Sequence, residues 1–308
     1  MHRPVPGKYR YHRNTASDCG GQAISMMNKI ITDENPMVPF LGKLKYVRDL
    51  GNEIKLLGVE LMDGGALAFS EYHPGQFAFV SAFGVGEAPF GIASTPARSG
   101  ILEFAIQRLG TVTTELHRLG QGDVVGIRGP MGNCFPMHDF AGKNIILLGG
   151  GIGGAPLRPV IHTILDNRKD YGHFTILWAA RHPSLLIFTD EYEEWRSSPD
   201  CELHLTVDHP DQTWDHNVGL ITELLAKVAP SPHNAVTITC GPPVMIYYVN
   251  QVLNKLGFQP EQNFVTLEAR MHCGIGKCGR CNLGDKLICV DGPVFKMTEV
   301  GQFLESYL

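Results

Sequence analysis

Four of the eight cysteines crowd into the C-terminal part of the chain, within residues 273–289. The first three follow the pattern C-x4-C-x2-C and the fourth comes after seven further residues, which is the plant-type spacing of a [2Fe–2S] cluster. Glycines between these cysteines permit the tight turns that four thiolates around two irons require. Zinc also binds four cysteines, but its sites usually arise from paired C-x2-C knuckles, so we favour the cluster. The predicted ligands are Cys273, Cys278, Cys281 and Cys289.

A second chemical signal is the glycine-rich run at residues 149–156, which follows an apolar segment and precedes a helical pattern. Such a turn directs backbone N–H groups toward a pyrophosphate, although its glycines can also serve tight packing alone. Another turn, at residues 240–245, follows the apolar segment 235–239. Ligands of open α/β sheets bind outside the carboxyl ends of strands, so we expect both turns to flank one dinucleotide crevice.

The identity of the nucleotide, NAD or NADP, is left open by the sequence. The acidic residue that usually ends the second strand of a dinucleotide-binding domain is missing, and Arg181 occupies that region. An arginine there favours a 2′-phosphate, whereas an acid would favour the free ribose of NAD. The residues predicted to bind the nucleotide are Gly151, Gly153, Arg181, Cys240, Gly241 and Pro242, with Cys240 lining the crevice.

The elements that must position these residues fall into two kinds. Between residues 37 and 141, short apolar alternations at 54–61, 77–81, 102–106 and 124–127 are separated by turn signals, which indicates a small antiparallel barrel. From residue 142, strand and helix patterns alternate, which predicts a Rossmann-like parallel sheet covered by helices. We divide the chain into an extension (1–36), a barrel domain (37–141), an α/β domain (142–262) and a cysteine-bearing segment (263–308).

Composition excludes several other classes of protein. The chain has 308 residues, 44% hydrophobic and 19% charged, with a net charge of −5 and no basic stripe, so nucleic-acid binding is not expected. The apolar runs are too short for a membrane span, and the N-terminus lacks the apolar core of a secretory signal. A cytoplasmic location is therefore expected, and in a reduced compartment clustered thiols favour metal ligation over disulfides.

The order of the motifs resembles the ferredoxin–NADP reductase superfamily. The matching elements are PGQF at 74–77, APFGIAS at 88–94, RLGTVT at 108–113, GPMG at 129–132, the two turns at 149–156 and 240–245, and residues 268–295. Within that superfamily the chain looks like the flavin- and cluster-bearing gamma subunits of nickel–iron hydrogenases and sulfhydrogenases. It is also similar to the electron-transfer subunit of dihydroorotate dehydrogenase and to the B subunit of anaerobic sulfite reductase.

The resemblance implies that the barrel binds a flavin, usually FAD. In the family motif Arg-x-Tyr-Ser, the aromatic ring stacks on the flavin, and the corresponding positions here are Ala88, Phe90 and Gly91. The arginine is absent, and the loop at 110–113 would supply phosphate donors instead; taken alone, Phe90 reads as barrel core. The implied flavin contacts are Phe90, Gly91, Ile92, Ala93, Ser94, Gly110, Thr111, Val112 and Thr113.

The expected function is that of an electron-transfer subunit, which moves electrons between NAD(P)(H), FAD and a [2Fe–2S] cluster to or from a partner. The resemblance points to a nickel–iron hydrogenase with an iron–sulfur subunit as that partner. The alternatives are a sulfite or sulfur reductase, a dihydroorotate dehydrogenase, or a non-catalytic, zinc-stabilised adaptor. Hydride transfer from nicotinamide to flavin needs no general acid or base, so none is expected.

Overall fold

Alternating apolar residues in the N-terminal part of the chain form a six-stranded antiparallel, barrel-like sheet. The computed structural model describes residues 35–304, so residues 1–34 of the expected extension lie outside it. The sheet order is β4-β3-β6-β1-β2-β5. Its strands are β1 Phe40–Gly51, β2 Ile54–Leu61, β3 Phe77–Ala82, β4 Gly86–Gly91, β5 Leu102–Gln107 and β6 Val124–Met131, and its helices are α1 Gly65–Ala68 and α2 Thr111–Leu116. Its core contains Leu44, Leu57, Val80, Phe104 and Ile127, each at most 1% exposed.

The second sheet has seven strands in the order β10-β9-β8-β7-β11-β12-β15, all parallel except the last. Its strands are β7 Asn144–Gly150, β8 Phe174–Ala180, β9 Cys201–Val207, β10 Asn217–Val218, β11 Ala235–Cys240, β12 Asn263–Thr266 and β15 Val294–Lys296. Helices cover it: α3 Arg158–Asp166, α4 Tyr192–Ser197, α5 Ile221–Val228 and α6 Pro243–Lys255. The glycine-rich run forms a short 3-10 helix, Gly151–Leu157, between β7 and α3. The central strands β7, β8 and β11 are buried on both faces, as parallel strands between helices must be.

The C-terminal segment packs against both sheets. It contains the two-stranded hairpin β13 Asn282–Leu283 and β14 Lys286–Leu287, then α7 Ile288–Asp291, strand β15 and α8 Met297–Leu304. One apolar cluster joins Phe77 and Phe79 of the barrel-like sheet, Val265 of the parallel sheet, and Ile288 and Phe295 of this segment. The cysteine-bearing segment is therefore held between the two larger units.

The fold class predicted from the sequence is confirmed, since the three parts follow in the expected order. Strand β2 has the predicted bounds, and β3, β5, β6 and β11 begin at the predicted residues and end one to four residues later. Strands β1, β4, β10, β13, β14 and β15 were not predicted. Strand β4, with glycine at both ends and an internal proline, lies at the edge of its sheet, where such residues are tolerated.

Within residues 35–304, no helix has the length and apolar character needed to cross a bilayer. Cys134 is disulfide-bonded, whereas the four cysteines of the C-terminal run are free thiols. The preference for metal ligation over disulfides therefore applies to the clustered cysteines and does not extend to Cys134.

Candidate functional site

A large cavity opens at the carboxyl ends of the central parallel strands. Its volume is about 890 Å³, and residues that follow β7, β8 and β11 line it. This is where ligands bind in open α/β sheets. Five of the six residues predicted to bind a nucleotide meet there: Gly151, Gly153, Arg181, Gly241 and Pro242.

The two turns touch each other at one side of the cavity. A Cβ added at Gly153 would lie 2.8 Å from the Cα of Gly241 and 2.9 Å from its nitrogen. Glycine at position 153 is therefore required for the turn after β7 to approach the turn after β11. Gly151 differs, because its φ of +57° needs glycine while no other atom lies within 4 Å of an added Cβ.

The thiol of Cys240 lies in the core and not in the cavity. The residue is 1% exposed, and its Sγ lies 3.2 Å from Oγ1 of Thr266. Burial raises the pKa of this thiol to about 12. The expectation that Cys240 lines the crevice is thereby corrected, and only its neighbours Gly241 and Pro242 face the cavity.

Two acidic residues of the cavity were missed by the sequence reasoning. Asp208 follows β9, and its N–H donates to the carbonyl of Ala180 at 3.1 Å, which brings it beside Arg181. An acidic residue is therefore present beside Arg181, but it follows β9 and not β8. The alternating apolar residues of β9 could have indicated a strand that ends just before Asp208. Glu268 also lines the cavity. Its side chain is exposed to solvent there, and the protein atoms packed around the carboxyl partly desolvate it and so raise its pKa.

The predicted flavin motif divides into an accessible half and a buried half. Phe90 and Gly91 end β4 and are partly exposed. Ile92, Ala93 and Ser94 are at most 2% exposed. A Cβ at Gly91 would lie 2.8 Å from Cβ of Pro156, so the motif touches the end of the glycine-rich run. Phe90 and Gly91 are thus the accessible residues of the motif, next to the glycine-rich run, and the flavin contacts of the other three stay predictions.

The buried half of the motif is fixed by hydrogen bonds to neighbouring strands. The N–H of Ala93 donates to the carbonyl of Glu103 at 2.8 Å, and the Oγ of Ser94 accepts from the N–H of Glu103 at 3.0 Å. The Ser94 hydroxyl also lies 2.8 Å from the hydroxyl of Tyr72. The N–H of Ile92 donates to the carbonyl of Gln76 at 3.0 Å. These bonds fix the three residues behind the accessible pair and engage the backbone N–H groups of Ile92 and Ala93.

The loop at residues 110–113 forms the start of helix α2. Oγ1 of Thr113 accepts from the N–H groups of Leu109 and Gly110, both at 2.9 Å, and donates to the carbonyl of Gly110 at 3.0 Å. Thr111 and Val112 form the first turn of the helix, and Val112 lies 3.4 Å from a Cβ added at Gly86, the first residue of β4. The loop is thus held by its own hydrogen bonds and lies next to the strand that ends at Gly91.

The cysteine run folds into a loop whose N–H groups point at sulfur. The Sγ of Cys273 accepts from the N–H groups of Ile275 at 3.5 Å, Lys277 at 3.3 Å and Cys278 at 3.4 Å. Burial raises the pKa of the Cys273 thiol, but these donors outweigh it and lower the pKa to about 7. Metal ligation requires the thiolate, and a lowered pKa favours that form of this sulfur.

The four sulfurs form two neighbouring pairs. Hydrogen bonds link Cys273 with Cys278 and Cys281 with Cys289, and the N–H of Gly276 donates to Sγ of Cys289 at 3.3 Å. Burial, followed by contact with Cys281, raises the pKa of Cys289 to about 12. Within residues 35–304, no group of three or more His, Cys, Asp or Glu could hold a single metal ion. Two thiol pairs with amide donors to sulfur are a donor set that fits a binuclear iron–sulfur cluster.

The cysteine loop rests on the barrel-like sheet. Nη1 of Arg128 donates to the carbonyl of Cys273 at 3.0 Å, and its Nη2 pairs with Glu87 at 2.6 Å. The guanidinium also stacks over Phe79, 4.4 Å from the ring centre. A Cβ at Gly274, whose φ is +73°, would lie 2.6 Å from the same ring. The loop and the sheet are therefore in direct contact.

Comparisons with known proteins match the same parts of the chain. Residues 147–251 match the oxidoreductase NAD-binding domain, and residues 268–301 match the iron-sulfur cluster binding domain of dihydroorotate dehydrogenase B. The nicotinamide and iron–sulfur predictions are thereby confirmed at the level of the domain, while the individual flavin and nucleotide contacts stay predictions.

Two curated relatives and one solved structure are similar over most of the chain. The gamma subunit of sulfhydrogenase 1 from Pyrococcus furiosus is 37% identical over 277 residues, which are 88% of this chain and 95% of the relative. A probable dihydroorotate dehydrogenase B (NAD(+)) electron transfer subunit from Methanocaldococcus jannaschii is 34% identical and covers 73% and 79% of the two chains. The NADH-dependent reduced ferredoxin-NADP oxidoreductase structure has the same fold, with a TM-score of 0.68, 24% identity, and coverage of 86% and 93%.

These relatives are subunits of multi-subunit oxidoreductases, and the family resemblance predicted from the motifs is confirmed. The sequence identity and the coverage are high enough to establish the family of the chain as well as its fold. The chain belongs to the family of electron-transfer subunits that includes the sulfhydrogenase gamma subunits and the dihydroorotate dehydrogenase B electron transfer subunits.

Proposed function

We propose that this chain exchanges electrons between NAD(P)(H), FAD and a [2Fe–2S] cluster and passes them to or from a partner subunit. The observation that supports this most directly is the meeting of three motifs. The flavin motif touches the glycine-rich turn at Gly91 and Pro156, and the cysteine loop is bonded to the barrel through Arg128 and Cys273. When bound, flavin takes up a hydride and releases single electrons, which the cluster can carry.

The residues of the chain would orient the flavin and donate hydrogen bonds to it. Phe90 would stack on the flavin ring, and the N–H of Gly91 would donate to it from the side that faces the nucleotide turn. The loop from Gly110 to Thr113 would hold the flavin phosphates in place of the missing arginine, because the N–H groups of the first helical turn, from Thr111 onward, have no acceptor within the helix. We assign the flavin to a domain of residues 37–141, the nucleotide to 142–262 and the cluster to 263–308.

The choice between NAD and NADP would depend on Arg181 and Asp208. Both line the same end of the cavity, and they favour opposite ligands. A guanidinium attracts a 2′-phosphate, whereas a carboxylate accepts a hydrogen bond from a free ribose hydroxyl and repels phosphate. Because Arg181 and Asp208 carry opposite charges at one site, the balance between them would set the preference for NAD or NADP.

The exposed side of the cysteine loop is the proposed exit for electrons. Cys278 is exposed together with its neighbours Lys277 and Arg280, whereas Cys281 and Cys289 are each 2% exposed. A cluster here would be open on one side, toward a partner whose docking face is acidic. We propose a nickel–iron hydrogenase, with its iron–sulfur subunit, as that partner, because the sulfhydrogenase gamma subunits match nearly the full chain.

A dihydroorotate dehydrogenase is the second candidate partner. It is favoured by the match of residues 268–301 to the iron–sulfur domain of that enzyme. Purification of the native complex distinguishes the two, because the subunits that copurify identify the partner directly.

Anaerobic purification followed by cofactor analysis tests the proposed wiring. We expect one flavin, and about two irons and two labile sulfides per chain, with both chromophores bleached by NADH or NADPH. Stoichiometric zinc without iron would instead support the non-catalytic adaptor. Iron and flavin that neither nucleotide can reduce would contradict the proposed electron path.

A further inference from the structure

A buried arginine lies directly behind the point where the two cofactor motifs touch. Arg158 is the first residue of α3, two positions after Pro156, and is 6% exposed. Its Nε and Nη2 both donate to the carboxylate of Glu191, at distances between 2.5 and 3.0 Å. This contact holds one side of the guanidinium within the nucleotide-binding half of the molecule.

The other side of the guanidinium reaches into the barrel-like sheet. Nη1 of Arg158 donates to the carbonyl of Ala93 at 2.8 Å and to Oε2 of Glu103 at 2.6 Å. Ala93 belongs to the flavin motif, and Glu103 lies on β5, where its second oxygen accepts from the hydroxyl of Tyr46 at 2.7 Å. One side chain therefore links the flavin motif to the helix that follows the glycine-rich turn.

Burying a charged guanidinium carries a desolvation penalty, and satisfying all of its N–H donors requires partners in fixed directions. A guanidinium taken out of water must recover its hydration through paired carboxylates and well-directed hydrogen bonds. Arg158 does so through its planar fork, and the ring of Phe188 lies 4.7 Å beneath it. His162, one turn along α3, adds a contact of 2.9 Å from Nε2 to Glu191. A lysine in this place would carry the same charge but could not satisfy both sides at once.

We propose that Arg158 is a positioning residue that sets the separation between the flavin motif and the dinucleotide turn, and thereby the rate of hydride transfer. This rests on the proposed function. Hydride transfer requires the reacting atoms to approach within about 3–3.5 Å, and a displacement of about 1 Å is enough to slow it by about 100-fold. The contact between Gly91 and Pro156 fixes the nearest approach of the two motifs, and Arg158 keeps them at that contact.

The competing explanation is that Arg158 only joins two domains, and the chain contains a matched control for it. Arg98, in the segment between β4 and β5, pairs with Asp166 at 2.7 Å at the opposite end of α3 and with Glu194 at 2.7 Å. It thus links the same two units through the same kind of ion pair, but far from the turn and with 25% of its side chain exposed. A merely structural link predicts that Arg158→Lys lowers the stability of the chain, more than Arg98→Lys because its ion pairs are buried, but leaves the limiting rate of flavin reduction in the folded protein unchanged.

The test compares Arg158→Lys with Arg98→Lys in the anaerobically purified, flavin-loaded protein. Stopped-flow measurement gives the limiting rate of flavin reduction and the Kd for NADH or NADPH. For Arg158→Lys we expect a limiting rate lower by about 10- to 100-fold, a Kd close to that of the wild type, and a larger isotope effect with nucleotide deuterated at the transferred position. Arg98→Lys should behave like the wild type in all three.

A cofactor-independent measurement accompanies the kinetics. Hydrogen–deuterium exchange of the flavin-free protein should increase over residues 88–94 in Arg158→Lys but not in Arg98→Lys. If Arg158→Lys does not fold, Glu103→Gln serves in its place, since it removes the carboxylate that Arg158 pairs with on the barrel side.

The outcomes separate the inference from the function on which it rests. A folded Arg158→Lys with a wild-type limiting rate and isotope effect would overturn the positioning role while leaving the proposed function intact. An equal fall in the limiting rate of flavin reduction in both arginine variants would show that Arg158 has no positioning role of its own. A wild-type protein whose bound flavin is reduced by neither nucleotide would overturn the proposed function, and the inference with it.

Discussion

Replacing Gly153 with alanine tests the contact between the two turns that form the nucleotide cavity. The added Cβ would lie 2.8 Å from the Cα of Gly241, 2.9 Å from its nitrogen and 3.0 Å from the carbonyl carbon of Cys240. All three neighbours are backbone atoms, so no side-chain rotation can relieve the contact. The turn after β11 must therefore move away from the turn after β7.

The size of that movement follows from the distances. Ordinary van der Waals contact begins at 3.4 Å and the closest approach is 2.8 Å, so the turns must separate by about 0.6 Å. Overpacking of this kind costs about 1–3 kcal/mol. If the nucleotide needs both turns at their present spacing, most of that cost is expressed in binding, and about 1.4 kcal/mol corresponds to a tenfold weaker Kd.

Nucleotide titration and steady-state reduction of an artificial dye provide the assay. We expect Gly153→Ala to raise the Kd and KM for NADH or NADPH about tenfold, with flavin content unchanged. The matched control is Gly142→Ala, just before β7, where φ is +71° and no atom lies within 4 Å of an added Cβ. It strains the backbone without touching the cavity. A folded Gly153→Ala with wild-type affinity, or an equal loss in Gly142→Ala, would refute the reasoning.

Three further predictions concern the cluster, the nucleotide and pH. Cys281→Ser should remove the cluster but leave flavin and dye reduction by NAD(P)H intact while partner-coupled turnover collapses; turnover that survives in a cluster-free variant would contradict the electron path. Arg181→Ala should shift the ratio of kcat/KM toward NADH, and Asp208→Asn should shift it toward NADPH; shifts in the same direction would count against opposed roles. Burial raises the pKa of Glu191, but its histidine and arginine partners outweigh burial and lower it from 4.5 to about 2. The ionised Glu191 therefore stabilises the fold above pH 4.5, and this stabilisation is lost as the pH falls toward 2. Glu191→Gln should lower the free energy of unfolding by about 3 kcal/mol at pH 7 and by progressively less in unfolding experiments at acid pH. A loss of stability that does not change with pH would exclude the ion pair as its source.

The features that the sequence predicted well are local ones. Strand β8 reads as a continuous apolar run, and the cysteine spacing lies within a single loop. Strand β1 was missed because lysines, an arginine and an aspartate interrupt its apolar residues, and its pattern of buried positions is irregular. Strand β4 is only half-buried and carries few apolar residues, so alternation could not reveal it.

The missed features of the site depend on contacts between distant parts of the chain. Arg158 and Glu103 are 55 positions apart, and only the folded structure brings them together. Asp208 lies beside Arg181 because β8 and β9 are parallel neighbours, a pairing that no local pattern encodes. The direction of the Cys240 thiol was unpredictable because every residue of β11 is buried, so neither face could be identified as the cavity side.

The last strand of the parallel sheet has a consequence for the solubility of the chain. Strand β15 follows the cysteine loop and pairs antiparallel with β12, whose four residues are all buried. Without it, β12 would present an unpaired edge that includes Phe264 and Val265, and such an edge is a template for intermolecular strand pairing. Strand β15 itself is three residues long and ends in the exposed Lys296, both of which discourage further strand addition. The segment that bears the cysteines therefore also covers this edge of the sheet, so a chain truncated before residue 290 should self-associate.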